Sequence, residues 1–155
     1  MRHHTKDKGD LAVAKVIADA AKTGIKSCVP ITEHLPFDLI LVDAECQLRR
    51  VQVRYAKARK NRMRMRLRSS YSWKGGCRVR LLDRTKIDGF PVYCPDTDRI
   101  YYLRTDEIPA DAASEIEISL ADKAKWVASK YLGAERLFTA KTLAPVAQME
   151  RASVF

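Results

Sequence analysis

The apolar positions along the chain change period several times, and each change marks an element. Over residues 9–22, Leu11, Val13, Ala14, Val16, Ile17, Ala20 and Ala21 recur at helical spacing, which predicts a helix with one broad apolar face. Asp7 or Asp10 can serve at its start, where helix N-termini favour carboxylates, and Gly24 can stop it. A short strand is expected over residues 25–30, then a loop holding Pro30, Glu33, His34 and Pro36. Residues 37–42 read Phe-Asp-Leu-Ile-Leu-Val, a nearly continuous apolar run that suits a strand covered on both faces. Asp38 is its one polar member. After a turn at residues 43–46, residues 47–56 return as the second strand of a hairpin.

Residues 62–68 alternate without a fault between arginine and Met63, Met65 and Leu67. A strand has side-chain period two, so Arg62, Arg64, Arg66 and Arg68 share one face. Residues 69–76 break the alternation, with Gly75-Gly76 as a turn signal, and residues 77–81 resume it. Together these stretches predict one long basic β-ribbon, with Arg78 and Arg80 opposite the arginine row. Residues 90–94 and 99–103 form a further strand pair, joined by the turn Pro95-Asp96-Thr97-Asp98. Residues 110–120 fit no single period. Residues 121–132 predict a helix carrying Trp126, Val127, Lys130 and Tyr131, and the last fifteen residues carry no strong pattern.

Length and composition add bounds. A chain of 155 residues, 46% hydrophobic, suits one domain with a real core. It has no run of about 18 apolar residues, so a membrane span is not expected. The N-terminal Met1-Arg2-His3-His4-Thr5-Lys6 is basic but lacks an apolar h-region, which argues against a secretory signal. Cys28, Cys46, Cys77 and Cys94 are far apart and form no CxxC pair, as expected of reduced thiols in a cytoplasmic, intracellular protein rather than of a zinc site. The net charge of +10 is concentrated: residues 49–87 hold fifteen Lys and Arg against one acid, Asp83. A block of one sign favours a polyanion, chiefly nucleic acid.

Candidate chemistry lies on the first hairpin. A carboxylate within an apolar strand is costly unless paired, and a bound cation would offset that cost at Asp38. Gln52 and Arg54 stand two apart on the facing strand, so they point the same way. An oxygen ligand, an amide oxygen and a guanidinium would then converge, which suits metal-dependent phosphodiester hydrolysis. The alternative is that Asp38 caps a turn while Gln52 and Arg54 are ordinary surface residues. Spacing alone leaves both open.

These residues resemble a known family. Phe37-Asp38-Leu39-Ile40 followed by Arg50-Val51-Gln52-Val53-Arg54 is similar to the D…(D/E/Q)-x-K core of PD-(D/E)XK nucleases. Lys8-Gly9-Asp10-Leu11 resembles the Gly-Glu that precedes that core. Ile87 to Asp98, followed by Ile100-Tyr101-Tyr102, resembles the group I intron-associated branch, the cyanobacterial homing endonucleases of the I-Ssp type encoded in transfer-RNA introns. The resemblance runs from about residue 8 to residue 108. It implies an α/β fold of restriction-endonuclease type, a central mixed sheet flanked by helices with the basic ribbon extended from it. It implies Mg²⁺-dependent cleavage of both strands of DNA. Asp38 would be the principal metal ligand, Gln52 a second through its carbonyl oxygen, and Asp10 a third from the helix. Arg54 occupies the family's lysine position. An arginine is not deprotonated in proteins, so it can hold a phosphate but cannot serve as a base; the departure could weaken cleavage, or a nearby lysine such as Lys57 could help, while His34 fits an ordinary loop histidine better than a proton carrier.

The expected organisation is a single nuclease domain over residues 1–140, with a DNA-reading ribbon inserted at residues 57–86, and a tail at 141–155. Arg62, Arg64, Arg66, Arg68, Arg78 and Arg80 would read base edges in the major groove, which admits a two-stranded ribbon. Lys57, Arg59, Lys60, Lys74, Arg84 and Lys86 would touch phosphates, which position without specifying. One active site cuts one strand, so a homo-oligomer, dimer or tetramer, or else a sequential reaction is expected; Trp126 and Tyr131 offer one candidate face for self-association, and core packing within one subunit accounts for them equally well. Residues 146–152 can be back-translated to something like the D-arm of a transfer-RNA gene, which would fit a reading frame beside one. Two rivals share these features: a non-catalytic basic nucleic-acid-binding protein, and a resolvase or restriction-type nuclease of the same fold.

Overall fold

Helix α1, His4–Lys22, starts a turn earlier than the apolar period predicts. Its first residues are polar and give that period nothing to register, but Asp7 in the first turn and Lys22 in the last both complement the helix dipole. The computed structural model describes residues 4–32, 34–112, 114–121 and 127–139. Trp126 and the tail from residue 141 lie outside them, as does most of the second helix expected at 121–132. The described end of that stretch, Ala128–Tyr131, is a 3-10 turn.

After α1 come β1 (Lys26–Cys28), β2 (Leu39–Val42), β3 (Leu48–Val51) and β4 (Arg54–Tyr55), then much later β9 (Gly89–Cys94) and β10 (Arg99–Arg104). They form a mixed sheet in the order β1-β2-β3-β9-β10, with β4 also on β9. The pairs are antiparallel except those of β3 and β4 with β9, which are parallel. The central β9 is buried at every position, as a strand covered on both faces must be.

Side-chain alternation separates two cores across this sheet. Leu39, Leu41, Val51, Val53, Tyr93, Ile100 and Tyr102 face α1 and pack on its Ala12, Val16 and Ala20. Phe90, Val92, Cys94, Tyr101 and Leu103 face the other way. That second face is covered by a small sheet of β5 (Ala58–Arg59), β6 (Arg62–Arg66) and β11 (Glu115–Ser119) in the order β11-β6-β5. Met63 and Met65 of β6 and Ile116 and Ile118 of β11 supply its inner layer.

The basic stretch is therefore two structures rather than one ribbon. The Arg62–Arg66 row pairs with β5 and β11. Only from Arg68 does the chain form the hairpin of β7 (Arg68–Trp73) with β8 (Gly76–Leu81). Burial of Met63, Met65 and Leu67 fixes the first part against the core, and the chain leaves that core at Arg68. Residues 69–73, which break the alternation, nevertheless continue as strand to the turn at Lys74-Gly75. Residues 110–120, which fit no period as a whole, contain β11.

Candidate active site and basic groove

Asp38 stands immediately before β2 rather than inside it, and remains open to solvent. Its backbone N–H donates to the Val51 carbonyl at 2.9 Å. Its Oδ2 accepts from the Val53 N–H at 2.7 Å. The second bond explains a break in the facing strand. β3 and β4 both run along β9 but are interrupted at Gln52 and Val53. Gln52 keeps the ladder by donating its N–H to the Gly89 carbonyl at 3.1 Å, whereas Val53 sends its N–H to the aspartate. One carboxylate oxygen thus stands in for a strand neighbour.

Val51 and Val53 point into the α1-side core, so Gln52 and Arg54 project from the opposite face. There the Arg54 Nη2 donates to the Gln52 Oε1 at 2.9 Å. Desolvation raises the Asp38 pKa, opposed by the Val53 N–H and by the Arg54 charge. Desolvation lowers that of Arg54, opposed by Asp38, although a guanidinium stays protonated. Each charge offsets part of the other's desolvation cost. Two residues behind the break hold it still. Asp88 accepts the Arg50 N–H at 2.7 Å and both arms of its guanidinium.

Asp38, Gln52 and Arg54 are thus brought together. Asp10 is exposed on α1, on the flank it shares with the partly buried Val13 and Ile17, and no hydrogen bond or ion pair among the described residues joins it to the three. His34 is exposed in the loop, and Glu33 lies outside the described residues.

The family that these residues resemble uses a divalent ion, and the donors fit one sparsely. Among the described residues no group of three His, Cys, Asp or Glu could hold a metal. Asp38 offers a carboxylate whose Oδ1 has no hydrogen-bond partner among the described residues, and Gln52 an amide oxygen with a second lone pair. Mg²⁺ is commonly bound by one or two carboxylates together with substrate phosphate and waters. The Arg54 Nε–H is buried without an acceptor among the described residues, a donor that a phosphate oxygen would satisfy.

Three residues along from Arg54, at most about 11 Å of chain, Lys57 begins an open concavity of about 890 Å³. Lys57, Arg59, Lys60, Arg62, Arg64, Arg66 and Glu117 line it. Lys60 and Asn61 make the two-residue turn between β5 and β6, both at positive φ, as a tight type I′ hairpin requires. That turn places Lys60 at the tip. Arg68 and Lys74 are exposed farther out on the β7–β8 hairpin; the side chains of Arg78 and Arg80 are outside those described. Arg84 is otherwise engaged, donating to the carbonyls of Pro109, Ala110 and Ala112. Lys86 pairs with Asp83 at 3.5 Å. The pattern of charge therefore marked the groove-lining cations, but not Glu117. Its signal was present in Glu-Ile-Glu-Ile-Ser, a strict alternation buried at the isoleucines.

A mixed sheet whose parallel strand breaks where an aspartate, an amide and a cation meet defines a nuclease of the PD-(D/E)XK class. The PD-(D/E)XK endonuclease family matches residues 3–132, and the chain belongs to it. Among solved structures the chain is similar to a bacterial homing endonuclease, I-Ssp6803I. The two are 26% identical with a TM-score of 0.71, over 86% of this chain and 92% of that one. No curated protein matches. No helix among the described residues is long and apolar enough to cross a membrane.

Proposed function

We propose that this nuclease is a homing endonuclease that hydrolyses phosphodiester bonds in double-stranded DNA at a specific site, an intronless transfer-RNA gene, with Mg²⁺ or another divalent cation. The observation that carries the reading is the convergence of Asp38, Gln52 and Arg54 within three residues of a groove lined by six cationic side chains. The DNA substrate is supported by that groove and by the likeness to a homing endonuclease. The transfer-RNA gene is supported by the motif at residues 87–102 and by the back-translation of residues 146–152.

Asp38 and Gln52 would hold the ion, with Asp10 of α1 as the further carboxylate that the family resemblance implies. A divalent ion held there would supply Lewis-acid polarisation of the phosphate and a more acidic water. The chain's own contribution is positional and electrostatic. The Val53 N–H fixes one oxygen of Asp38 and leaves the other free. Gln52 holds the Arg54 guanidinium in place, and Arg54 meets the charge that builds on the scissile phosphate. Arg54 moves no proton, so the attacking water must lose its proton to another acceptor. Cutting both strands of a duplex then requires two subunits or two successive reactions, and a homo-oligomer is the simpler arrangement.

The test is digestion of a duplex carrying an intronless transfer-RNA gene, with purified protein and Mg²⁺. We expect cleavage at one site by the wild type and none by Asp38→Ala. Cleavage by both would remove the assignment. Binding without cleavage by either would leave a basic DNA-binding protein.

A further inference from the structure

The groove is not uniformly positive. Glu117 of β11 lies directly across from Arg64 of β6. Its Oε1 is 2.8 Å from the Arg62 Nη1 and its Oε2 is 3.4 Å from the Arg64 Nε. Glu115 reaches the Arg64 Nη1 at 3.7 Å. Among the described residues Lys57, Arg59, Lys60 and Arg66, which line the same groove, make no ion pair. One carboxylate therefore bridges two of the three arginines in the β6 row.

Stability does not account for its placement. The Arg62 and Arg64 side chains are 64% and 67% exposed, and pairs so open to water contribute little. β11 is held by a five-residue ladder to β6 and by the burial of Ile116 and Ile118. A carboxylate that faces a polyanion must oppose phosphate. It also fixes the guanidiniums beside it, and it can itself accept from cytosine N4 in a major groove where arginine reads guanine.

We infer that Glu117 is a specificity-determining residue of the DNA interface: it holds Arg62 and Arg64 for base edges and penalises their use as indiscriminate phosphate clamps. The inference rests on the groove being where DNA binds. It adds an acid that charge counting would assign to the wrong side of the balance.

The test uses the full chain and two probes, a random-sequence duplex and the sequences that wild-type protein enriches from a randomised duplex library. Binding is measured by fluorescence anisotropy over a range of salt, with Glu117→Gln as the isosteric variant and Glu117→Ala as the second. Circular dichroism confirms that each is folded. We expect both variants to bind random duplex several-fold more tightly and to show a salt slope steeper by about 0.9 for each additional phosphate neutralised. Their preference for the enriched sequences should fall about tenfold or more. Unchanged binding to both probes, or an equal loss on both, would overturn the role of Glu117 alone. If wild-type protein binds no duplex, the interface itself is refuted, and this inference with it.

Discussion

At the scale of single residues, the site turns on which oxygen of Asp38 is already engaged. Oδ2 replaces a strand neighbour for Val53, so Asp38→Ala removes a ligand and also leaves a backbone donor without its acceptor. That loss costs about 1–3 kcal/mol. Asp38→Asn keeps an acceptor there and loses the charge. Urea denaturation should show the alanine variant clearly less stable than the asparagine one, while neither cleaves DNA. The raised pKa of Asp38 gives a second expectation. Its folded carboxyl keeps a proton at pH values where the unfolded one, near 3.8, has lost it. Its contribution to stability therefore falls as pH rises through that window, and the cost remains in full above it. Wild type should lose stability relative to Asp38→Asn as pH is raised above the ordinary carboxylate pKa. Cation affinity at the site should rise over the same range, because binding must displace the proton. For Arg54, truncation to Met should reduce cleavage by roughly 10²–10³-fold, without deleting any step in a pH–rate profile that a titrating lysine would have caused. Spacing showed that Gln52 and Arg54 share a face. It could not show that Asp38 sits outside β2, because a half-open aspartate and a buried one look alike within an apolar run.

At the scale of elements, the decisive feature is a strand in two pieces. β3 and β4 use the same neighbour, β9, and the gap between them is where the side chains gather. Gly89 opens β9 at that level. A Cβ there would lie 2.6 Å from the Leu137 Cδ2 and 3.0 Å from the Leu103 carbonyl oxygen. Leucine can move aside but the carbonyl cannot, so Gly89→Ala should destabilise the fold by roughly 1–3 kcal/mol. Because the Gly89 carbonyl also receives the Gln52 N–H, the variant should lose activity beyond its loss of stability, measured at a temperature where it is fully folded. The alternation of residues 62–66 was legible because methionine and arginine differ so sharply. Its partner was not: pairing with β11, about fifty residues on, rather than with β8 depends on which apolar layer closes over the sheet.

At the scale of the whole molecule, the net charge of +10 resolves into a groove, a distal hairpin and arginines bound to their own backbone. The cations should divide by position. Lys60, at the β5–β6 turn, is placed to touch phosphate, and Lys60→Asn, which tolerates the positive φ, should weaken binding to every duplex alike and lower the salt slope by about 0.9. Arg64→Ala should instead erode preference among sequences, with about 1–3 kcal/mol of discrimination lost at one base pair. Anisotropy on enriched and random duplexes distinguishes these outcomes, and identical losses for both variants would refute the division.

The sequence by itself determined the local periods, the concentration of charge, and a set of residues whose order identified an α/β nuclease of this family. Those are properties of neighbours, and helical or strand spacing records them directly. Only the tertiary structure decided that Arg84 serves the fold, that the arginine row and the hairpin are separate, and that Glu117 stands among the arginines. Each depends on which face of the central sheet an element covers, a choice set by packing between segments far apart in the chain.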